Sequence, residues 1–241
     1  MAGKINCSFD IASFYSYLAV SYLLSNLQTL SDHNVEVEFH PTFAGAVFHD
    51  ANNAPPWAVS QVKREYLDKY ESARAKVDFG RPEIVLPDDL LDLWDLGWTQ
   101  KSLRALLYIK EKYPPEVYHT AILYLFNAFW TKPRRRIRDA PILAETLAEI
   151  PKGFHPSGES DPTDKLFSAD QVKEIMTAQG SKEFKEILKL HTTQLGDRGA
   201  FGLPWFEVRS SEGREEPFWG SDRAVSSGDG PKQPETLFKQ R

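Results

Sequence analysis

The chain has 241 residues, 41% of them hydrophobic and 12% aromatic, enough for one large domain or two smaller ones around a sizeable core. Its 29 Lys and Arg against 34 Asp and Glu leave a net charge of −5, a balance that argues against general nucleic-acid binding. No apolar run reaches the ~18 residues of a membrane span, and the single cysteine, Cys7, excludes an internal disulfide and fits a reducing compartment.

The opening Met1-Ala2-Gly3-Lys4 leads at once into a strand, Lys4 to Asp10, with no room for a signal or transit peptide. The last residues, Lys239-Gln240-Arg241, are not a peroxisomal address. A cytoplasmic protein is expected. Ser13 is placed to cap the next helix, which the apolar pattern from Phe14 to Leu27 carries to about Ser31. The alternation Val35-Glu36-Val37-Glu38-Phe39 predicts a second strand. Strand, helix and strand within ~40 residues form a right-handed unit with parallel strands.

From Ala58 to about Gln179 the chain reads as helices. Val62, Tyr66 and Tyr70 mark one charged helix, and Leu103, Leu106, Leu107 and Lys110 follow helical spacing until Pro114-Pro115. Val117 to Trp130 is strongly apolar and suits the centre of the helical region. Asp139 can cap a helix with Pro141 in its first turn. Residues 151–164, rich in Pro, Gly, Ser and Asp, read as a loop. Ser168 with Gln171 is a capping box, Gly180 a stop, and Ser181 opens a helix to Gly196. Trp205 to Arg209, the turn Ser210-Ser211-Glu212-Gly213 and Glu216 to Trp219 predict a hairpin. Ala224 to Arg241 has few apolar side chains and reads as a disordered tail.

The basic run Lys132 to Arg138 is read as a solvated loop end, and Cys7 as a small buried hydrophobe. Six histidines show no metal spacing, so no metal is expected.

Four short motifs remain: Asp10 to Leu18, Asn53 to Lys63, Gly199 to Pro204, and Gly220 to Arg223. In this order and separation they resemble the kappa class of glutathione transferases and the related 2-hydroxychromene-2-carboxylate isomerases, over roughly residues 5–223. The resemblance implies an α/β fold, a DsbA-like thioredoxin domain with an inserted all-helical domain. Residues 1–57 and 180–223 would form the thioredoxin-like glutathione-binding domain, 58–179 the insert and 224–241 the tail. Ser16 matches the family's catalytic serine. A hydroxyl donating to a sulfur stabilises the thiolate, and a helix N-terminus adds unpaired N–H groups. Leu203-Pro204 matches a step before a cis-proline whose backbone pairs with the cysteinyl part of glutathione. Ser221 and Asp222 match the γ-glutamyl anchor, and Asn53 and Lys63 the glycine carboxylate end.

The implied activity is glutathione-dependent: thiolate attack on a small hydrophobic electrophile, with transfer or isomerisation as the net result. The electrophile would lie against Phe14, Tyr17, Trp57 and Trp130. Glutathione is the expected co-substrate and a homodimer the expected assembly, with no nucleic-acid or membrane partner. A non-catalytic glutathione-binding or structural homologue is the alternative. Thiol–disulfide exchange would need a Cys-x-x-Cys pair where this chain has Ser13-Phe14-Tyr15-Ser16. Phe14 also stands where relatives often have proline between the two serines.

Overall fold

The computed structural model describes residues 2–158 and 160–223; the tail expected over 224–241 lies outside them. Strand β1 (Gly3–Phe9) leads into α1 (Phe14–Ser25), α2 (Leu27–Asp32) and β2 (Val35–Pro41). One helix was expected between the strands. Asn26 divides it, with its amide donating to the Tyr22 carbonyl at 2.7 Å. A short helix, α3 (Ala44–Asp50), follows where none was read.

The central helices are α4 (Gln61–Tyr66), α5 (Ser72–Asp78), α6 (Leu93–Leu96), α7 (Gln100–Lys112), α8 (Pro115–Trp130), α9 (Ala140–Glu149) and α10 (Ala169–Gly180). A π-helical turn, Leu67–Glu71, joins α4 to α5. Pro115 opens α8 at a position where its missing N–H costs nothing. Ser168 and Gln171 complete the capping box of α10. Asp139 precedes α9, yet its side chain makes no cap bond; the carboxylate pairs with Arg136 and Arg138 instead. The described residues close with α11 (Lys182–Asp197), β3 (Trp205–Arg209), β4 (Glu215–Trp219) and a 3-10 turn, Ser221–Arg223.

The sheet order is β2-β1-β3-β4. β1 and β2 are parallel, with Cys7 opposite Phe39, and β3 runs antiparallel to β1, with Phe206 opposite Cys7. β4 returns antiparallel to β3 as the outer strand. This is the expected thioredoxin-like sheet, with the early strand β1 and the late strand β3 side by side.

One continuous cluster of buried side chains runs from Ile5, Cys7 and Phe9 on the sheet through Tyr17 and Leu18 on α1 to Phe126 and Trp130 on α8. Tyr17 stacks on Phe126, centroids 4.9 Å apart and planes 7° from parallel. Polar side chains fasten the helices to the sheet. Tyr118 Oη and Lys110 Nζ both donate to the Phe39 carbonyl, at 3.0 and 2.9 Å. Trp130 Nε1 donates to Ile11 O at 2.7 Å.

The basic run is not a solvated loop end. Arg134 donates to the Phe129 and Val85 carbonyls, Arg135 pairs with Glu149, and Arg136 and Arg138 converge on Asp95. The run ties the α8–α9 connection to the segment before α7.

Candidate functional site

β1 runs into Asp10, a fully buried carboxylate. Its Oδ1 accepts from the Ala12 N–H at 3.0 Å and from Thr99 Oγ1 at 2.5 Å, and its Oδ2 from the Ala44 N–H at 2.8 Å. Burial pushes this carboxyl up to about 6 despite the three donors. Asp10 thereby fixes three pieces of backbone at once: the β1–α1 corner, the start of α3 and the turn before α7.

That corner forms one wall of a cleft of about 1370 Å³. Ser13 sits at the N-cap of α1 in extended conformation and lines the cleft. Its Oγ accepts from the Ser16 N–H at 3.1 Å and donates to the Leu203 carbonyl at 3.1 Å, across 190 residues of sequence. The Leu203–Pro204 peptide bond is cis. Leu203 lines the cleft beside Ser13 and Ser221, and Asp222 borders it from beyond β4. The Gly220 N–H donates to Pro204 O at 3.2 Å and holds that corner against the cis step. Gly220 has φ 91°, and a Cβ there would meet Asp222 Oδ1 at 2.6 Å, so the aspartate folds over a position only glycine fills comfortably.

Ser16 lies differently from the expectation. It is 0% exposed, its Oγ is buried with no hydrogen-bond partner among the described residues, and it does not border the cleft. Ser13 is the hydroxyl that faces the space.

The remaining expected residues divide. Lys63, Phe14, Trp57 and Trp130 line the cleft. Tyr17 does not: it is 0% exposed, accepts a hydrogen bond from Arg81 at its hydroxyl, and has that guanidinium 4.5 Å above its ring. Asn53 stands behind the wall, its Nδ2 donating to Phe201 O at 2.9 Å and its Oδ1 accepting from the Ala54 N–H at 2.9 Å. Its amide nitrogen therefore holds the Phe201 loop, and its amide oxygen is used on the N–H of the next residue. Pro204 supports the corner without bordering the space.

The cleft has two ends of different character. Ser13, Leu203, Ser221 and Asp222 form a polar end beside the sheet. Aromatic and aliphatic side chains from the helices form the other. Phe14 meets Trp130 edge-on at 5.9 Å, Trp57 meets Trp94 edge-on at 4.9 Å, and Leu67, Phe79, Leu86, Leu90 and Leu93 complete it. Tyr15, Phe43, Phe48, Trp94, Trp98 and Trp219 line the cleft and were not picked out from the sequence. Trp94 and Trp98 lie four apart around a short helix, a spacing that gave a signal, but nothing local said which way they face. Cys7 is buried on β1, and burial pushes its thiol up. Among the described residues, no three His, Cys, Asp or Glu side chains are grouped to hold a metal.

No protein-family model matches the chain. It is 24% identical over 234 residues to glutathione S-transferase kappa 1 of Caenorhabditis elegans, covering 97% of this chain and 93% of that protein. Among solved structures it is similar to a 2-hydroxychromene-2-carboxylate isomerase, with TM-score 0.61, 18% identity, and 91% and 90% of the two chains covered. It is also similar to the cytosolic disulfide reductase DsbM of Pseudomonas aeruginosa, solved with GSH, with TM-score 0.53, 16% identity and 89% of each chain covered. The resemblance read from the sequence is thus the one the comparisons return, and the fold is the thioredoxin-like one of these structures.

Proposed function

We propose that the chain is a glutathione-dependent enzyme, a transferase or isomerase, that binds glutathione at the polar end of the cleft and a hydrophobic electrophile at its aromatic end. The observation that carries the reading is the meeting of Ser13 with the Leu203 carbonyl beside Ser221 and Asp222, all on one wall. The names of the similar proteins, a kappa glutathione transferase and a hydroxychromene-carboxylate isomerase, support the same chemistry.

In this reading the ligand adds a short strand against the cis step. Ser13 has one hydroxyl proton, now given to the Leu203 carbonyl. A ligand amide N–H that takes over that carbonyl frees the Ser13 proton to turn to the sulfur. A free thiol titrates near ~8.5, and a hydrogen bond to the charged form lowers that value. The role first expected of Ser16 passes to Ser13, while Ser16 holds the Ser13 oxygen through its backbone N–H. Ser221 and Asp222 suit the α-carboxylate and α-ammonium of the γ-glutamyl end, and Lys63 the carboxylate at the other. Asn53 acts by shaping the Phe201 loop rather than by contact. Thiolate exchange by the chain itself is disfavoured, because its one cysteine is buried and its thiol is pushed up. A homodimeric, cytoplasmic protein is part of the same proposal, and sedimentation velocity reports the first of these.

The test is calorimetric titration with glutathione of the wild-type chain and of Asp222→Ala. Binding in the micromolar to low-millimolar range that weakens at least tenfold in the variant is the expected result. No heat of binding with either protein would overturn the reading and favour a non-catalytic homologue.

A further inference from the structure

Tyr15 is the second residue of α1, two positions after Ser13, and borders the same cleft. Its ring packs edge-on against Phe14, centroids 5.1 Å apart, and Phe14 in turn packs against Trp130 at the aromatic end. Tyr15 therefore stands where the polar and aromatic ends meet. Its hydroxyl makes no hydrogen bond to any described residue, unlike that of Tyr17, which accepts from Arg81, or of Tyr118, which donates to Phe39.

The groups facing Tyr15 are Glu71, Tyr66 and Asp222, with Arg74 beyond, paired to Glu71 and Tyr66. Burial first, and then the two carboxylates, push the phenol above its ordinary range. It stays a neutral donor at any physiological pH. A half-buried neutral donor among aromatic walls recognises a flat apolar molecule bearing one acceptor oxygen.

We propose that Tyr15 is a catalytic residue that hydrogen-bonds the carbonyl oxygen of the electrophile, and that the aromatic end takes flat α,β-unsaturated ketones. The covalent step rests on the glutathione reading; the binding preference does not. In that step the sulfur forms a bond to the β-carbon while the C=C π pair moves to the carbonyl oxygen as an enolate. Tyr15 donates to this oxygen as its charge grows and keeps its own proton. The thiol proton, released to solvent, is replaced by a solvent proton delivered to the α-carbon, so the product is a neutral saturated ketone thioether.

The test compares the full chain with Tyr15→Phe. The probes are chalcone as acceptor, dihydrochalcone as its unreactive ketone, and 1,3-diphenylpropane as the same skeleton without oxygen. Without glutathione, the wild-type chain should bind dihydrochalcone about threefold to tenfold tighter than diphenylpropane, and Tyr15→Phe should erase that difference while binding diphenylpropane as before. With glutathione, kcat for chalcone should fall at least tenfold further in the variant than kcat for benzyl bromide, which has no carbonyl. Equal ketone preference in both proteins, no preference in the wild type, or equal losses with the two electrophiles would each overturn the proposal. If glutathione itself fails to bind, the glutathione reading falls and the ketone preference alone decides Tyr15.

Discussion

His40 on β2 supplies a pH dependence that can be worked out from its surroundings. With Nε2 protonated it donates to Asn6 Oδ1 on β1 at 3.2 Å. Burial first, then the positive Lys110, hold its imidazole down to about 4, against the opposing pull of Glu38 3.9 Å away; His191 and Lys4 add smaller effects in the same direction as Lys110. Unfolded, the ring protonates near 6.5. Between these two values the unfolded chain binds more protons than the folded one, so stability falls on acidification from 6.5 to 4. At pH 7 the penalty is only about 0.2 kcal/mol, and at pH 4.5 it is about 2.5 kcal/mol.

Asp10 works in the opposite sense. Its folded value of about 6 lies above the unfolded 3.8, so its burial becomes less costly as pH falls, by about 2 kcal/mol between pH 7 and 4.5. The two nearly cancel in the wild-type chain. His40→Gln keeps a donor for Asn6 and removes the titration. Urea unfolding of both proteins at pH 7.0 and 4.5 measures the effect. With a slope of roughly 1–3 kcal/mol per molar, the variant's midpoint should rise relative to wild type by about 1 M on going to pH 4.5. A variant whose midpoint moves with pH just as the wild type's does would refute the reasoning.

Four further outcomes are expected. Ser13→Ala removes the α1 cap and should cost about 1 kcal/mol of stability, together with a rise of the bound thiol's pKa and most of the turnover, read by ultraviolet titration of the glutathione complex. Ser16→Ala should keep turnover and be neutral or stabilising, since it deletes a buried hydroxyl that has no partner. Trp130→Phe leaves the Ile11 carbonyl unpaired in the core and should cost about 1–3 kcal/mol from that loss alone, or several degrees of melting temperature by calorimetry. Gly202→Ala would put a Cβ 2.7 Å from Trp219 Nε1; tryptophan emission should shift and glutathione affinity drop, and an unchanged spectrum with unchanged affinity would show that the indole does not pack on that glycine.

The sheet strands and the caps at Ser13, Ser168 and Ser181 are legible in local pattern, whereas the Asp139 cap, the break at Asn26 and α3 are not. Alternation from Val35 to Phe39 predicts β2, and Ser168 with Gln171 predicts the start of α10, because both signals act over a few residues. The four motifs also pointed to a site made from both chain ends, since each carries its own turn chemistry. Position across the fold was another matter. Ser13 and Ser16 look alike in a string of letters, and only the packing of the β1–α1 corner against Leu203 leaves one hydroxyl at the cleft and buries the other. The resemblance makes Tyr17 a wall of the cleft, yet Arg81, 64 residues away, pins it inside. The arginines of 134–138 looked solvated until Asp95 and Glu149 were brought to them by the packing of α6 and α9. Secondary structure follows from interactions among near neighbours, which the sequence by itself carries. Which face of a helix meets a cavity depends on contacts between residues far apart along the chain, and these exist only once the tertiary structure has formed.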